Sequence, residues 1–237
     1  MQHRSGISGE RTSIRALELV MNSFRHLQLI IVSSVVALLL ILFSIHFLDA
    51  TLALYIKQVL QTNPFLKKNF RNIPNLLPII VFTGTAAMWM FFLRIRHRGC
   101  SHHAGFLKLA AIAVPTAFLL KMLLQYIFGR TNIQTWLSGG KSLGFGWFIP
   151  LSQHPCFPSG HMTVFTSFFV AVWIYYPRFR SVAAILLISL ASALVFTNYH
   201  FLGDVLAGFF CGILVTATVG RFLSNIRCDI NHTTSVG

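Results

Sequence analysis

What confines this chain is a series of apolar runs, each long enough to cross a bilayer, with little sequence between them. A helix needs about 20 apolar residues to span roughly 30 Å of hydrocarbon. Six stretches qualify: residues 28–48, 76–93, 106–128, 160–176, 182–200 and 202–223. Hydrocarbon offers no water to an unpaired backbone group, so runs of this kind must fold as helices. Charged side chains make up only 10% of the 237 residues, and the mean hydropathy is +0.69. The expectation is an all-α integral membrane protein, a six-transmembrane helical bundle over residues 28–223, flanked by a basic N-terminal segment 1–27 and a tail 224–237. No length remains for a sizeable soluble domain. The first run lacks a small-residue cleavage site and is long enough to span, so it reads as a retained anchor.

Nineteen Lys and Arg stand against five Asp and Glu, a net charge of +14. In a membrane chain such an excess belongs to cytoplasmic loops and anionic head groups, so it argues for no nucleic acid partner. Twelve of these cations fall on one side of the spans: the N-terminal segment, the loop around Arg94 to Lys108, Arg178 with Arg180, and the tail. Six fall on the other. The positive-inside rule then puts both termini in the cytoplasm and the 129–159 loop outside. Residues 49–75, with Leu52, Leu54, Ile56, Val59 and Leu60 followed by basic residues, read as a helix lying in the outer interface. Of the four cysteines only Cys156 falls outside, so no disulfide is expected. Cys156 and its neighbour His154 read as loop packing or rim residues. The stretch RHRGCSHH at 96–103 matches no zinc spacing and reads as a solvated basic loop. The acceptor pattern at Asn231 falls inside and is discounted.

Ionisable groups within or beside the membrane mark where chemistry is to be sought, because burying one there is expensive. Asp204 follows His200 by four residues in NYHFLGD. On a helix that spacing stacks the two, so the carboxylate can accept the Nδ1 proton and leave Nε2 as a nucleophile. Ahead of the fourth run stands Pro158-Ser159-Gly160-His161. A Ser-Gly pair opening a helix aims free N–H groups and the positive end of the macrodipole at an anion, and His161 in the first turn can donate a proton to a leaving oxygen. The starts of runs four and six share a membrane face, so His161 and His200 can converge. Lys121, inside the third run, must snorkel or meet an anion, and Arg130 at its end offers a planar fork for phosphate oxygens.

In combination these residues resemble the type 2 phosphatidic acid phosphatases, which share a catalytic core with the vanadium haloperoxidases. That family carries K-x6-R-P, P-S-G-H and S-R-x5-H-x3-D. Here the second motif is complete at 158–161, and the third keeps its end as His200 and Asp204, the likeness covering residues 121–208. The resemblance implies a six-span bundle in which His200 takes the phosphoryl group, Asp204 orients it and His161 protonates the leaving group. Lys121, Arg130, Ser159 and Gly160 would bind phosphate. The departures are specific. The Ser-Arg pair falls on Ala193 and Leu194. The first motif reads K-x8-R, and its Lys falls on Leu123 if Arg130 is in register, or on Gln125 if Asn132-Ile133 is. Lys121 fits neither register and would reach the site by snorkelling, while Lys141 in the Gly-rich loop reads as a solvated Lys, with replacement of the lost Arg as the alternative.

The resulting expectation is a metal-independent phosphatase without a cofactor, hydrolysing a phosphomonoester or pyrophosphate of a lipid through a phosphohistidine. Two histidines and one carboxylate provide no carboxylate cluster for Mg²⁺ or Ca²⁺. Its partners would be a phosphorylated lipid and the surrounding membrane, with no obligate protein. The setting would be a bacterial inner membrane with the active site facing outward. A lipid phosphotransferase using the same phosphohistidine and a catalytically weakened, lipid-binding relative are the alternatives.

Overall fold

The computed structural model describes residues 28, 30–62, 76–95, 102–140 and 142–234, with side chains through 224. The chain divides into two units, Met1–Leu40 and Ile41–Gly237. In the first, residues 30–40 are helical and expose Ile31, Val32, Val35, Leu38 and Leu39, as side chains facing lipid do. The second contains α1 (Asp49–Thr62), α2 (Leu77–Ile95), α3 (His102–Phe128), the short α4 (Ile133–Leu137), α5 (Gly160–Tyr175), α6 (Arg180–Phe196) and α7 (Leu202–Thr234), with a π-helical segment, Ser44–Leu48, ahead of α1. No strand occurs among the described residues; a single isolated bridge joins Arg130 and Phe145.

Five helical stretches are long and apolar enough to cross a membrane: Ile30–Thr62, Leu77–Ile95, His102–Phe128, Pro177–Phe196 and Leu202–Ser224, and the shorter apolar Gly160–Tyr175 makes a sixth. This is the all-α bundle the apolar runs imply. Its first helix differs from the expectation. It does not stop near residue 48 and lie down in the interface; α1 continues it to Thr62. Ile56, with Leu52 and Leu60, packs on Met162, Leu194, Val195 and Val205, so this part of the stripe that resembled an interfacial face turns to the bundle, while Leu54 and Val59 stay exposed. The rest of that segment, 63–75, lies outside the described residues, as do Lys141 and the 96–101 part of the basic loop. The last helix runs on past residue 223 to Thr234.

The innermost pairing is α5 on α7, and small residues set its closeness. A Cβ built on Gly208 would sit 2.6 Å from the Ser159 carbonyl oxygen, and one on Gly212 would sit 2.6 Å from that of Thr163. With lipid outside, helix association relies on such close backbone approach and on polar side chains that bond across the seam. Ser167 and Thr216 do so, their hydroxyls 2.9 Å apart and buried. At the other end the Ser159 amide donates to the Asp204 carbonyl at 3.0 Å. These contacts fix the register of the two helices, which places PSGH beside the His200–Asp204 turn.

Candidate active site

The start of α5 is built by its sequence. Ser159 caps the helix, its hydroxyl accepting from the Met162 amide and its carbonyl from Thr163. The hydroxyl is wholly buried, while Gly160 and His161, one step later, line a cavity of about 390 Å³. The first amides of a helix have no partner within it, so the cavity wall carries free donors and the positive end of the helix. Lys121 of α3 runs along this start, its Cε 3.1 Å from where a Gly160 Cβ would be. Lys121 Nζ donates to Gln125 Oε1 at 2.9 Å, and Gln125 Nε2 donates to the Pro158 carbonyl at 3.1 Å. The cation is thus held at the cavity by a neutral amide.

His200 arrives from the turn between α6 and α7. Asn198 adopts a left-handed conformation with φ 52°, which Asn tolerates better than most residues. The turn is secured there: Asn198 Nδ2 donates to the Ala53 carbonyl at 3.1 Å, and Gln134 Nε2 donates to the Asn198 carbonyl at 2.9 Å. Tyr199 stands edge-on between the two imidazoles, its ring 5.5 Å from His161 and 5.2 Å from His200. His200 Nδ1 lies 3.6 Å from Asp204 Oδ2, in ion-pair range but too long for a hydrogen bond, and has no other partner. Catalytic hydrogen bonds are often this loose before substrate binds.

Behind His200 the bonding is tight. Asp204, fully buried, accepts from Arg130 Nη1 at 2.6 Å and from the Phe201 amide at 3.2 Å. Arg130 also donates through Nη2 to Asp49 Oδ2 at 2.7 Å, and its guanidinium lies 4.5 Å over the Phe201 ring. Asp49 completes its own set by accepting from Ser44 Oγ at 3.0 Å and the Gly203 amide at 2.9 Å. The π segment makes that possible: the Asp49 amide bonds the Ser44 carbonyl, and the wider turn stacks residues five apart. Burial alone would lower the Arg130 pKa, but the Asp204 and Asp49 carboxylates override it and hold it above its ordinary value.

The structure therefore brings Lys121, Gly160, His161 and His200 to one cavity, with Asp204 directly behind His200. Ser159 sits beneath as a cap. Arg130 is elsewhere than its expected phosphate-binding place: it is absent from this cavity's lining, 1% exposed, and both ends of its fork are taken by carboxylates. Leu194 lies in the apolar cluster with Met162 and Val195. Sequence reading missed Asp49. The signal was available: of the chain's five acidic residues, Asp49 and Asp204 alone fall within apolar stretches once the first run is carried past residue 48. It also missed Tyr199 and the side-chain amides of Asn132 and Gln134, which join the lining.

Cys156 Sγ, His200 and Asp204 offer ligand atoms within 4.8 Å of one another, but the bonding of Cys156 and Asp204 is already committed. The Cys156 thiol donates to the Thr131 carbonyl, and burial, then the Asp204 charge, push its pKa well up, so it keeps its proton. Asp204 is neutralised by Arg130 instead.

Two histidines at one cavity, one backed by a carboxylate, beside a Lys and a helix start, are groups with which a helical protein can carry out phosphoryl transfer. The family comparison agrees. The family model of the PAP2 superfamily matches residues 78–228, and the chain belongs to that superfamily of type 2 phosphatidic acid phosphatases, whose activity is that of phosphatases on phosphate esters. No curated protein and no solved structure matches the chain.

Proposed function

We propose that this protein cleaves a phosphate ester of a membrane lipid through a phosphohistidine on His200, at the outer membrane face. The observation that carries the reading is the meeting of His161 and His200 at one cavity with Lys121 and the α5 start. The chemistry follows from these groups. Lys121 and the Gly160 and His161 amides hold the phosphate oxygens, over which the transition state spreads its charge. His200 Nε2 attacks phosphorus in line while Nδ1 turns its proton to Asp204. The P–O bond breaks, and His161 gives its proton to the departing alkoxide. Water then attacks the phosphohistidine, losing a proton to His161 as the P–N bond breaks. The lipid enters from the side of Leu77, Phe118 and Met122, apolar members of the same lining. Twelve cations on the opposite side of the spans support the outward orientation.

The test is chemical trapping. Detergent-purified protein, kept in EDTA, is quenched during turnover of lipids labelled in the phosphate. The expected product is an acid-labile, base-stable phosphoenzyme that His200→Ala fails to form. Turnover by His200→Ala comparable to the unsubstituted protein would remove the nucleophile assignment.

A further inference from the structure

We infer that Tyr199 is a positioning residue of this site: its one ring braces both imidazoles and keeps between His200 and His161 a fixed gap for the phosphoryl group. This role rests on His200 being the nucleophile, and it names what holds that nucleophile ready. Asp204 holds it only loosely. His200 Nδ1 is buried without a hydrogen-bond partner among the described residues, and Asp204 Oδ2 stands 3.6 Å away. A ring held in that way turns about its side-chain bonds unless packing stops it. The Tyr199 ring supplies the packing. It lies 5.2 Å from the His200 ring, centroid to centroid, with the planes at 73°, and 5.5 Å from the His161 ring with the planes at 76°. Both are edge-to-face contacts, an arrangement that aromatic rings prefer.

The brace is itself anchored. The Tyr199 amide donates to the Leu194 carbonyl at 3.0 Å, and the His200 amide shares that carbonyl at 3.1 Å, so both residues are tied to the end of α6. The Tyr199 side chain packs on the apolar cluster that contains Ile56, Met162, Leu194 and Val205. Leu194, at the position where the third motif has its Arg, thus belongs to the apolar seat of this ring. One side of Tyr199 is core, and another lines the cavity with His161 and His200. The reaction needs such a spacer. In-line transfer puts the attacking nitrogen and the departing oxygen on opposite sides of phosphorus, so the two imidazoles must stand apart by the width of the group between them. A neutral imidazole carries one N–H donor and one bare acceptor. Two that are free to turn can therefore bond to each other across an empty cavity, which withdraws the nucleophile and the acid together. Lys121 and the α5 start hold the phosphate oxygens without help from Tyr199, so the brace acts on the aim of the reacting nitrogens and not on binding.

Two substitutions at one position test this. Tyr199→Leu keeps an apolar side chain on the cluster and removes the ring, and Tyr199→Phe keeps the ring and removes the hydroxyl. Each is compared with the unsubstituted protein by phosphate release from phosphatidate and from a polyprenyl pyrophosphate in detergent micelles, with a thermal melt to establish folding; Tyr199→Met takes the place of Tyr199→Leu if that variant does not fold. The expected result without the ring is a fall in kcat of about tenfold or more, since a misplacement of about 1 Å can cost roughly 10²-fold, with KM held within about twofold. Tyr199→Phe should recover most of that kcat. A loss of packing alone would lower the melting temperature and leave kcat of the folded fraction in place, which would overturn the brace. So would a Tyr199→Phe as impaired as Tyr199→Leu, which would make the hydroxyl the working group, or a rise in KM with kcat preserved, which would make Tyr199 a substrate contact. All three leave the phosphohistidine reading standing. Failure of the unsubstituted protein to release phosphate from either lipid would overturn that reading and the brace with it.

Discussion

Two cations near the same histidine have opposite surroundings. Arg130 lies on the far side of Asp204, 1% exposed, with a carboxylate on each arm of its fork. Lys121 lies on the cavity side with an uncharged amide as its hydrogen-bond partner. Both residues are positive, both come from α3 or its end, and both would pass for phosphate ligands in a linear sequence. Their surroundings separate them. A guanidinium whose donors are taken by buried carboxylates holds the scaffold in place, whereas an ammonium opposed by no negative charge is available to an anion.

The largest effect expected from breaking this comparison is at Arg130. Arg130→Ala leaves Asp49 and Asp204 buried side by side without their counter-ion. Removing one partner of a buried ion pair costs about 3–5 kcal/mol, and two stranded carboxylates put this site at the upper end. Chemical denaturation in detergent should show that loss, and a stability close to the unsubstituted protein would mean that the clamp is not the anchor its distances imply.

Lys121→Met should give the reverse pattern. It keeps all but the terminal atom of the side chain's length while deleting the charge, so it removes a transition-state donor at an expected loss of roughly 10²–10³ in kcat/KM, with a melting temperature that does not fall. Kinetics on a phosphorylated lipid, together with a thermal melt, separate the two cations. Unchanged kinetics would return Lys121 to a structural role.

Why one of these roles was legible in the sequence and the other was not follows from distance along the chain. His200 and Asp204 are four apart, and Pro158 to His161 are consecutive, so a helical period and a helix start reveal them without a fold. The six apolar runs announce the bundle in the same local way. The clamp is different in kind. Asp49 meets Arg130 across 81 positions, and it does so through a π segment that no periodicity announces and that turns Ser44 and Asp49 to the same side. With Asp49 assigned to an interfacial helix, Arg130 had one potential partner instead of two and looked free for substrate. The α5–α7 register, likewise, rests on Gly208 and Gly212 touching backbone that only the packed structure brings near.

The smallest and most discriminating effect is expected at Asp49. Asp49→Asn leaves Arg130 and Asp204 as a balanced pair, so it avoids the stranded charge of Arg130→Ala. It is still not neutral. Asp49 accepts from three donors, Arg130 Nη2, Ser44 Oγ and the Gly203 amide, and a side-chain amide has one acceptor oxygen and a nitrogen that must face one of them. The mismatch of a buried donor should cost about 1–3 kcal/mol. Loosening Arg130 on that side frees Asp204 to shift against His200, so kcat should fall while KM, set on the Lys121 side, stays in place. Asp49→Glu, which restores the charge, should recover part of that kcat. A fall in KM-dependent binding with kcat preserved would instead tie Asp49 to the cavity, and the separation between a scaffold cation and a substrate cation would fail at its first link.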